Sequence, residues 1–305
     1  MDILNTIIPM FTVIFIGWIA RRKGLISTAF LGPANRLVFH LAIPAMIFRA
    51  ISQGNFTRDF NPSVVLITLA SVLTVFCFLW IAGWAVRLER RRFATVIQSA
   101  FHGNLGYIGL AVAYYYLGDE GLARASILAG FIMILQNLLA VIVLQWYGDA
   151  ESGGIGARRV IMGVAGNPVI VSAMAGILFS ATGMPLPIIL ERAFKILGDL
   201  ALPLALLLIG AGLTFHLMRS RPMALISSSV VKLGLLPGLG YFLYRFFGVP
   251  AGGYLPAIIL LACPTATIAY VMAAEMNGDT EFAAAAISAS TAFSAVTFTL
   301  WLHIV

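Results

Sequence analysis

Twelve carboxylates, four histidines and two cysteines could carry acid–base, nucleophilic or metal chemistry in this chain. Their spacing supports none of these. His40, His102, His216 and His303 lie far apart, and no HExxH or CxxC spacing occurs, so no metal or other cofactor is expected. Cys77 and Cys263 sit inside apolar runs and read as small core residues rather than a disulfide. His102 has no nucleophile or base at catalytic spacing, so an enzyme is not expected. What remains is a chemistry of recognition. Two apolar stretches are interrupted near their middles by residues that break helices and offer polar groups. One is "SAFHGNLGYIGLAVAYYYLGDEG", with Gly103, Asn104, Gly106 and Tyr107. The other is "IILLACPTATIAYVMAAEMNGD", with Pro264, Thr265 and Thr267.

Glycine has low helix propensity and lets the backbone leave helical geometry. Proline removes a donor and clashes with the preceding turn. A break inside a bilayer leaves N–H and C=O groups unpaired, so it persists only within protein or beside a water-filled cavity. A half-helix starting at a break points its N–H groups and positive dipole end at the crossing, which suits a carboxylate or another small anion. The competing reading is that the glycines serve close helix packing. Gln136 and Asn137 either line the same pocket or hydrogen-bond between helices.

The elements that must position these breaks are membrane helices. The chain is 61% hydrophobic and only 10% charged, against about a quarter charged in soluble domains. Its apolar runs approach the ~20 residues that cross a bilayer. Ten segments are expected, near 3–20, 30–51, 63–86, 94–117, 121–146, 165–181, 187–215, 223–246, 254–276 and 281–303. The first follows Met1 and Asp2 without a basic leader and reads as a retained helix. The net charge of +7 does not point to nucleic acid, because no aromatic-basic patch accompanies it. The basic residues gather in alternate loops: Arg21, Arg22 and Lys23; Arg87, Arg90, Arg91 and Arg92; Arg158 and Arg159; Arg219 and Arg221. The other face holds Arg58, with Arg124 and Arg245 near helix ends. Both termini are therefore expected outside, in a bacterial inner membrane.

An internal repeat ties the two breaks together. Pro9 matches Pro168, and Pro44 in "LAIPAMIF" matches Pro203 in "LALPLALLL", each at a spacing of 159 residues. "LGDEGLARASI" matches "NGDTEFAAAAI" at 160, pairing Asp119 with Asp279. At that offset Asn104 falls on Pro264. The expected organisation is a five-helix repeat at 1–146, a cytoplasmic linker at 147–164 and a second repeat at 165–305. Five is odd, so the second repeat is inverted, as in many secondary transporters.

Charged and titratable residues inside the segments are weighed as functional, since a charge at the bilayer centre is expensive. Lys232 either neutralises a bound carboxylate, moves as a coupling charge, or is a structural ion pair or snorkelling lysine. Asp199 and His40 each lie four residues before a repeat-equivalent proline. They are expected to face each other, as a packed scaffold contact or as a titrating pair. Arg49, Arg192 and Lys195 are expected near the outer interface.

The motifs "NLGYIGL", "LALPLALLLIGAGL", "CPTATIAYVMA" followed by "NGD", and "NPVI" resemble those of the auxin efflux carrier family, which includes the plant PIN carriers and bacterial malonate and malate permeases. The resemblance covers essentially the whole chain. It implies an all-α fold like that of the bile-acid sodium symporters. Helices 1, 2, 6 and 7 would form a scaffold, and helices 3 to 5 and 8 to 10 a transport domain in which helices 4 and 9 cross. It also implies organic-anion substrates, and an Asn at the first break that contacts the substrate carboxylate, here Asn104. At the second break the plant relatives carry another Asn, whereas this chain offers Thr265 and Thr267. The long cytosolic loop of many plant members is absent.

The expected function is secondary active transport of a small organic anion by alternating access, coupled to H+, to Na+ or to neither. A passive anion channel is the alternative. The lipid bilayer and a second copy of the chain, docked through the scaffold helices, are the other expected partners.

Overall fold

Among the described residues, helical segments overlap each of these ranges, and two of the ranges hold interrupted helices. The computed structural model describes residues 3–54, 59–85, 89–147, 166–219 and 222–305. The linker beyond Tyr147, and with it Arg158 and Arg159, lies outside the described residues, as do Arg58, Arg87 and Arg221. In order, α1 is Ile3–Arg22, α2 Thr28–Gln53 and α3 Pro62–Ala85. The fourth segment is two pieces. α4a is Arg90–Phe101, and a helical run from Leu105 to Tyr147 follows. Gly118, at φ 70 and ψ −163, divides that run into α4b (105–117) and α5 (119–147). Then come α6 (Pro168–Ala181), α7 (Ile188–Gly212), a 3-10 turn at Phe215–Arg219 and α8 (Pro222–Phe246). The ninth segment is also two pieces, α9a (Ala251–Leu261) and α9b (Ile268–Glu275), before α10 (Thr280–Ile304). The described residues form no named strand, and seven helices are long and apolar enough to cross a membrane.

Local chemistry explains the element ends. The Ser27 hydroxyl accepts from the Phe30 N–H at α2, and the Asp279 carboxylate accepts from the Phe282 N–H at α10. Both are N-caps. Asn167 caps α6 by accepting from Val169 and Ile170, with Pro168 at the first helical position. α6 therefore starts at Pro168 rather than at 165. The turns at the two "GD" sites, 160 residues apart in sequence, each use a left-handed residue, Gly118 at φ 70 and Asn277 at φ 55.

Two helices widen into π turns just before a proline: Val38–Ala42 ahead of Pro44, and Val231–Leu235 ahead of Pro237. The ring clashes with the carbonyl four residues back and offers it no N–H. The wider turn relieves the clash. At Pro237 that carbonyl belongs to Leu233, and it accepts from the Trp301 indole at 2.8 Å.

The chain forms two compact units. Unit 1 is Met1–Pro62, Leu105–Gly130 and Ala165–Leu213; unit 2 is Ser63–Asn104, Phe131–Val164 and Thr214–Val305. Each unit draws on both halves of the sequence. Unit 1 holds the four expected scaffold helices, α1, α2, α6 and α7. The expected grouping of helices 4 and 5 with the transport domain holds only in part, because residues 105–130 belong to unit 1. The chain leaves unit 2 at Asn104, where its helix breaks.

Within unit 1, α1 and α7 meet backbone to backbone. A Cβ at Gly17 would strike the Leu207 carbonyl, and one at Gly210 the Ile14 carbonyl, which is the small-residue packing of membrane helices. Arg49 pairs with Glu191 at 3.4 Å and lies 3.9 Å from Asp119. Within unit 2, Leu225, Phe282, Ala285 and Ala286 form a core cluster. The Tyr244 ring stacks on Tyr254 at 4.8 Å, and its hydroxyl bonds with Thr68. Arg92 pairs with Asp279 at 3.2 Å, and the Asp279 N–H donates to Thr95 Oγ1.

Candidate functional site: the crossing of two broken helices

Inside unit 2 the two breaks meet. Gly103 and Thr265 form an isolated antiparallel bridge. The Asn104 N–H donates to the Pro264 carbonyl at 2.8 Å, and the Ala266 N–H donates to the His102 carbonyl at 2.9 Å. Two interrupted helices thus satisfy each other's main chain by a two-rung ladder, a solution that strands use in a sheet. His102, Gly103, Asn104, Pro264 and Thr265 are all buried.

An α-helix ends with up to four carbonyls lacking a partner, and here three of those of α4a and all four of α9a have a visible partner. At the end of α4a, Gln98 O accepts from the His102 N–H. Ser99 O accepts from the Thr265 hydroxyl at 2.8 Å. Phe101 O accepts from Gln136 Nε2 at 2.9 Å, and Gln136 Oε1 accepts in turn from the Gly103 N–H at 3.1 Å. At the end of α9a, Ile258 O accepts from Ala262, Leu260 O from the Cys263 N–H and Ile259 O from the Cys263 thiol. Leu261 O accepts from the Lys232 ammonium at 2.7 Å. The Thr265 N–H donates to Ser290 Oγ at 3.0 Å.

Gln136 therefore bridges the first break directly. Lys232 is buried with no exposure and ends on a buried carbonyl, so it does not snorkel, and no structural ion pair of Lys232 is found among the described residues. Thr267 is the N-cap of α9b, without a side-chain capping bond. Asn137 is half-buried on α5. Gly106 and Tyr107 lie in unit 1, in the first turn of α4b, where the Tyr107 hydroxyl donates to the Asn35 side-chain oxygen at 3.2 Å.

One expectation is corrected. His40 and Asp199 do not pair with each other. His40 Nδ1 lies 3.1 Å from Arg36 O on its own helix, and Asp199 accepts from Lys195 at 2.6 Å one turn away on α7. Both are exposed. A local partner one turn away needs no tertiary alignment, and it wins here over the long-range pair.

Ser99 and Ser290 were not anticipated. Ser99 contributes only its carbonyl, which no side-chain pattern reports. Ser290 sits in the small-polar run Ser288, Ser290, Thr291 and Ser294 of α10, all buried. That run was a readable signal for a polar helix face turned into protein.

The family model described as "Membrane transport protein" matches residues 2–151 and 157–302. A Rhizobium meliloti (strain 1021) protein named "Putative malonate transporter" is 25% identical over 313 residues, covering 100% of this chain and 96% of that protein. An "Uncharacterized transporter" of Methanothermobacter thermautotrophicus is 25% identical over 309 residues, covering 97% and 96%. The "Uncharacterized transporter YfdV" of Escherichia coli (strain K12) is 21% identical over 310 residues, covering 99% and 97%. With its apolar helices and a match along almost its entire length, the chain belongs to the membrane transport protein family, the auxin efflux carrier-like group that its motifs resemble.

Proposed function

We propose that this membrane transporter is a secondary active carrier of small organic anions, working by alternating access, with the substrate carboxylate held at the breaks of helices 4 and 9. The observation that carries this reading is the reciprocal bridge between His102–Asn104 and Pro264–Ala266. It gathers irregular buried backbone, the Asn104 amide and the start of α9b in one place. Irregular backbone at membrane depth is tolerated where it is buried or lines a cavity, and half-helix ends are the usual ion and substrate sites of such carriers. Asn104 would hold the carboxylate, Thr265 and Thr267 would play a secondary part, and Gly103, Pro264 and Gln136 would shape the break. The parts of Gly106, Tyr107 and Asn137 rest on sequence position. Roles for His40 and Asp199 in coupling would now have to be separate, since each bonds within its own helix.

The name of the Rhizobium meliloti relative supports a malonate-like dicarboxylate. The mixing of both sequence halves in each unit supports two inverted five-helix repeats with ten crossings. Loop charge supports both termini outside, in a bacterial inner membrane, and a homodimer through α1, α2, α6 and α7 completes the proposal. A passive channel gains no specific observation. The test is a thermal-shift screen of purified protein across mono- and dicarboxylates, followed by uptake into liposomes. A dicarboxylate should raise the melting midpoint, because a ligand that binds only the folded state stabilises it, and its uptake should saturate. Unitary conductance in a planar bilayer would contradict the carrier reading.

A further inference from the structure

Under the 160-residue offset, Phe101 falls on Leu261. Both carbonyls sit at the last residue of a half-helix, α4a and α9a, so they are the same position in the two repeats. Their partners differ in charge. Phe101 O is held by the neutral amide of Gln136 from α5 at 2.9 Å. Leu261 O is held by the ammonium of Lys232 from α8 at 2.7 Å. The partners are not repeat-equivalent either, because the offset maps Lys232 onto Val72. Unit 2 is symmetric in backbone at its crossing and asymmetric by one positive charge.

That charge lies at a half-helix end, the kind of place where carriers with broken helices bind a coupling ion. A half-helix C-terminus carries negative partial charge, and unwound carbonyls with such ends coordinate Na+ in carriers with broken helices. The resemblance to carriers with a fold like that of the bile-acid sodium symporters makes Na+ one of the coupling ions to be weighed here. The residues at the end of α9a do not fit a metal ion at Leu261 O. The donor set is an ammonium, a thiol and main-chain N–H groups, and hydrogen-bond donors repel a cation. Among the described residues no group of three or more His, Cys, Asp or Glu could hold a metal. Lys232 is also the only buried lysine, arginine or carboxylate of unit 2 among the described residues. A charge so placed is expensive, and capping the last carbonyl of a helix is a role a cation fills well.

We infer that Lys232 is a tethered cation standing in for a metal ion at the C-terminal end of α9a, so that this carrier works without Na+ at that position. The inference rests on the carrier reading for its transport arm and on Lys232 alone for its binding arm. The binding arm is melting of the purified protein, without substrate, in sodium chloride and in choline chloride at equal ionic strength. The wild-type midpoint should be the same in both salts. Lys232→Ala should melt lower than wild type in choline and regain part of the loss in Na+ only, because the vacated end of α9a then accepts a free cation. In the transport arm, wild-type uptake of labelled malonate should be equal in the two salts. Lys232→Ala should lose about tenfold in choline, and Lys232→Arg should keep most of the rate.

A Na+-specific rise in the wild-type midpoint, or Na+-stimulated wild-type uptake, overturns the inference. So does a Lys232→Ala protein with unchanged stability and uptake. If Lys232→Ala does not fold, the wild-type salt comparison and Lys232→Arg still decide. If wild-type protein takes up no organic anion, the carrier reading fails, while the melting comparison continues to test the tethered cation.

Discussion

At the scale of single residues, the crossing depends on a few side chains that complete main-chain hydrogen bonding. Gln136 donates to Phe101 O and accepts from the Gly103 N–H. Replacing it by leucine keeps the volume and removes both partners from buried groups. Each group left unsatisfied costs about 1–3 kcal/mol, so Gln136→Leu should lower the melting midpoint by several degrees. A midpoint within error of wild type would show that Gln136 does not hold the break. Thr265 makes a narrower case. Its hydroxyl donates to Ser99 O, so Thr265→Val should destabilise by about 1 kcal/mol and Thr265→Ser should not. Gln136 was singled out from sequence by its polarity within an apolar segment. The end of its side chain on Phe101 O was not legible, because a carbonyl is present at every residue and only the fold decides which are exposed by a break.

Elements are held by close approach and by the repair of proline defects. The meeting of α1 and α7 has glycine on both sides, at Gly17 and Gly210. A side chain at either position must push the helices apart, and overpacking typically costs 1–3 kcal/mol. Gly210→Val should therefore lower the melting midpoint clearly more than Gly212→Val, since no atom beyond its chain neighbours and its own helix's backbone lies within 4 Å of a Cβ built at Gly212. Equal effects would refute the close crossing. Helix ends were legible to within a few residues. Composition marks where apolar runs stop; the caps Ser27, Asn167 and Asp279, which fix where three helices start, emerge only in the structure. The π turns at Val38–Ala42 and Val231–Leu235 were not legible. Their prolines were visible, but whether a proline kinks, widens or starts a helix depends on what receives the freed carbonyl. Trp301 does so for Leu233, 68 residues away.

The whole molecule is two units that each borrow from both sequence halves. The near-constant offset of prolines and "GD" turns, 159 and 160 residues, aligns the two breaks in sequence, and the structure joins them through the main chain. The offset did not foretell that residues 105–130 would leave the unit of α4a. That partition depends on packing rather than periodicity. The orientation proposed from loop charge has its own test. In a background without Cys77, a cysteine at Gly24 should react with an impermeant maleimide only from the cytoplasmic side, and one at Gly248 only from outside. The reverse pattern would invert the proposed topology. The central claim is that the crossing of helices 4 and 9 is the substrate site of an organic-anion carrier. Its most direct measurement is uptake of labelled malonate by liposomes containing wild-type or Asn104→Ala protein, each checked for an unchanged melting midpoint. The account predicts saturable uptake by the wild type and its loss in Asn104→Ala. Saturable uptake that survives the substitution at the same rate would contradict it.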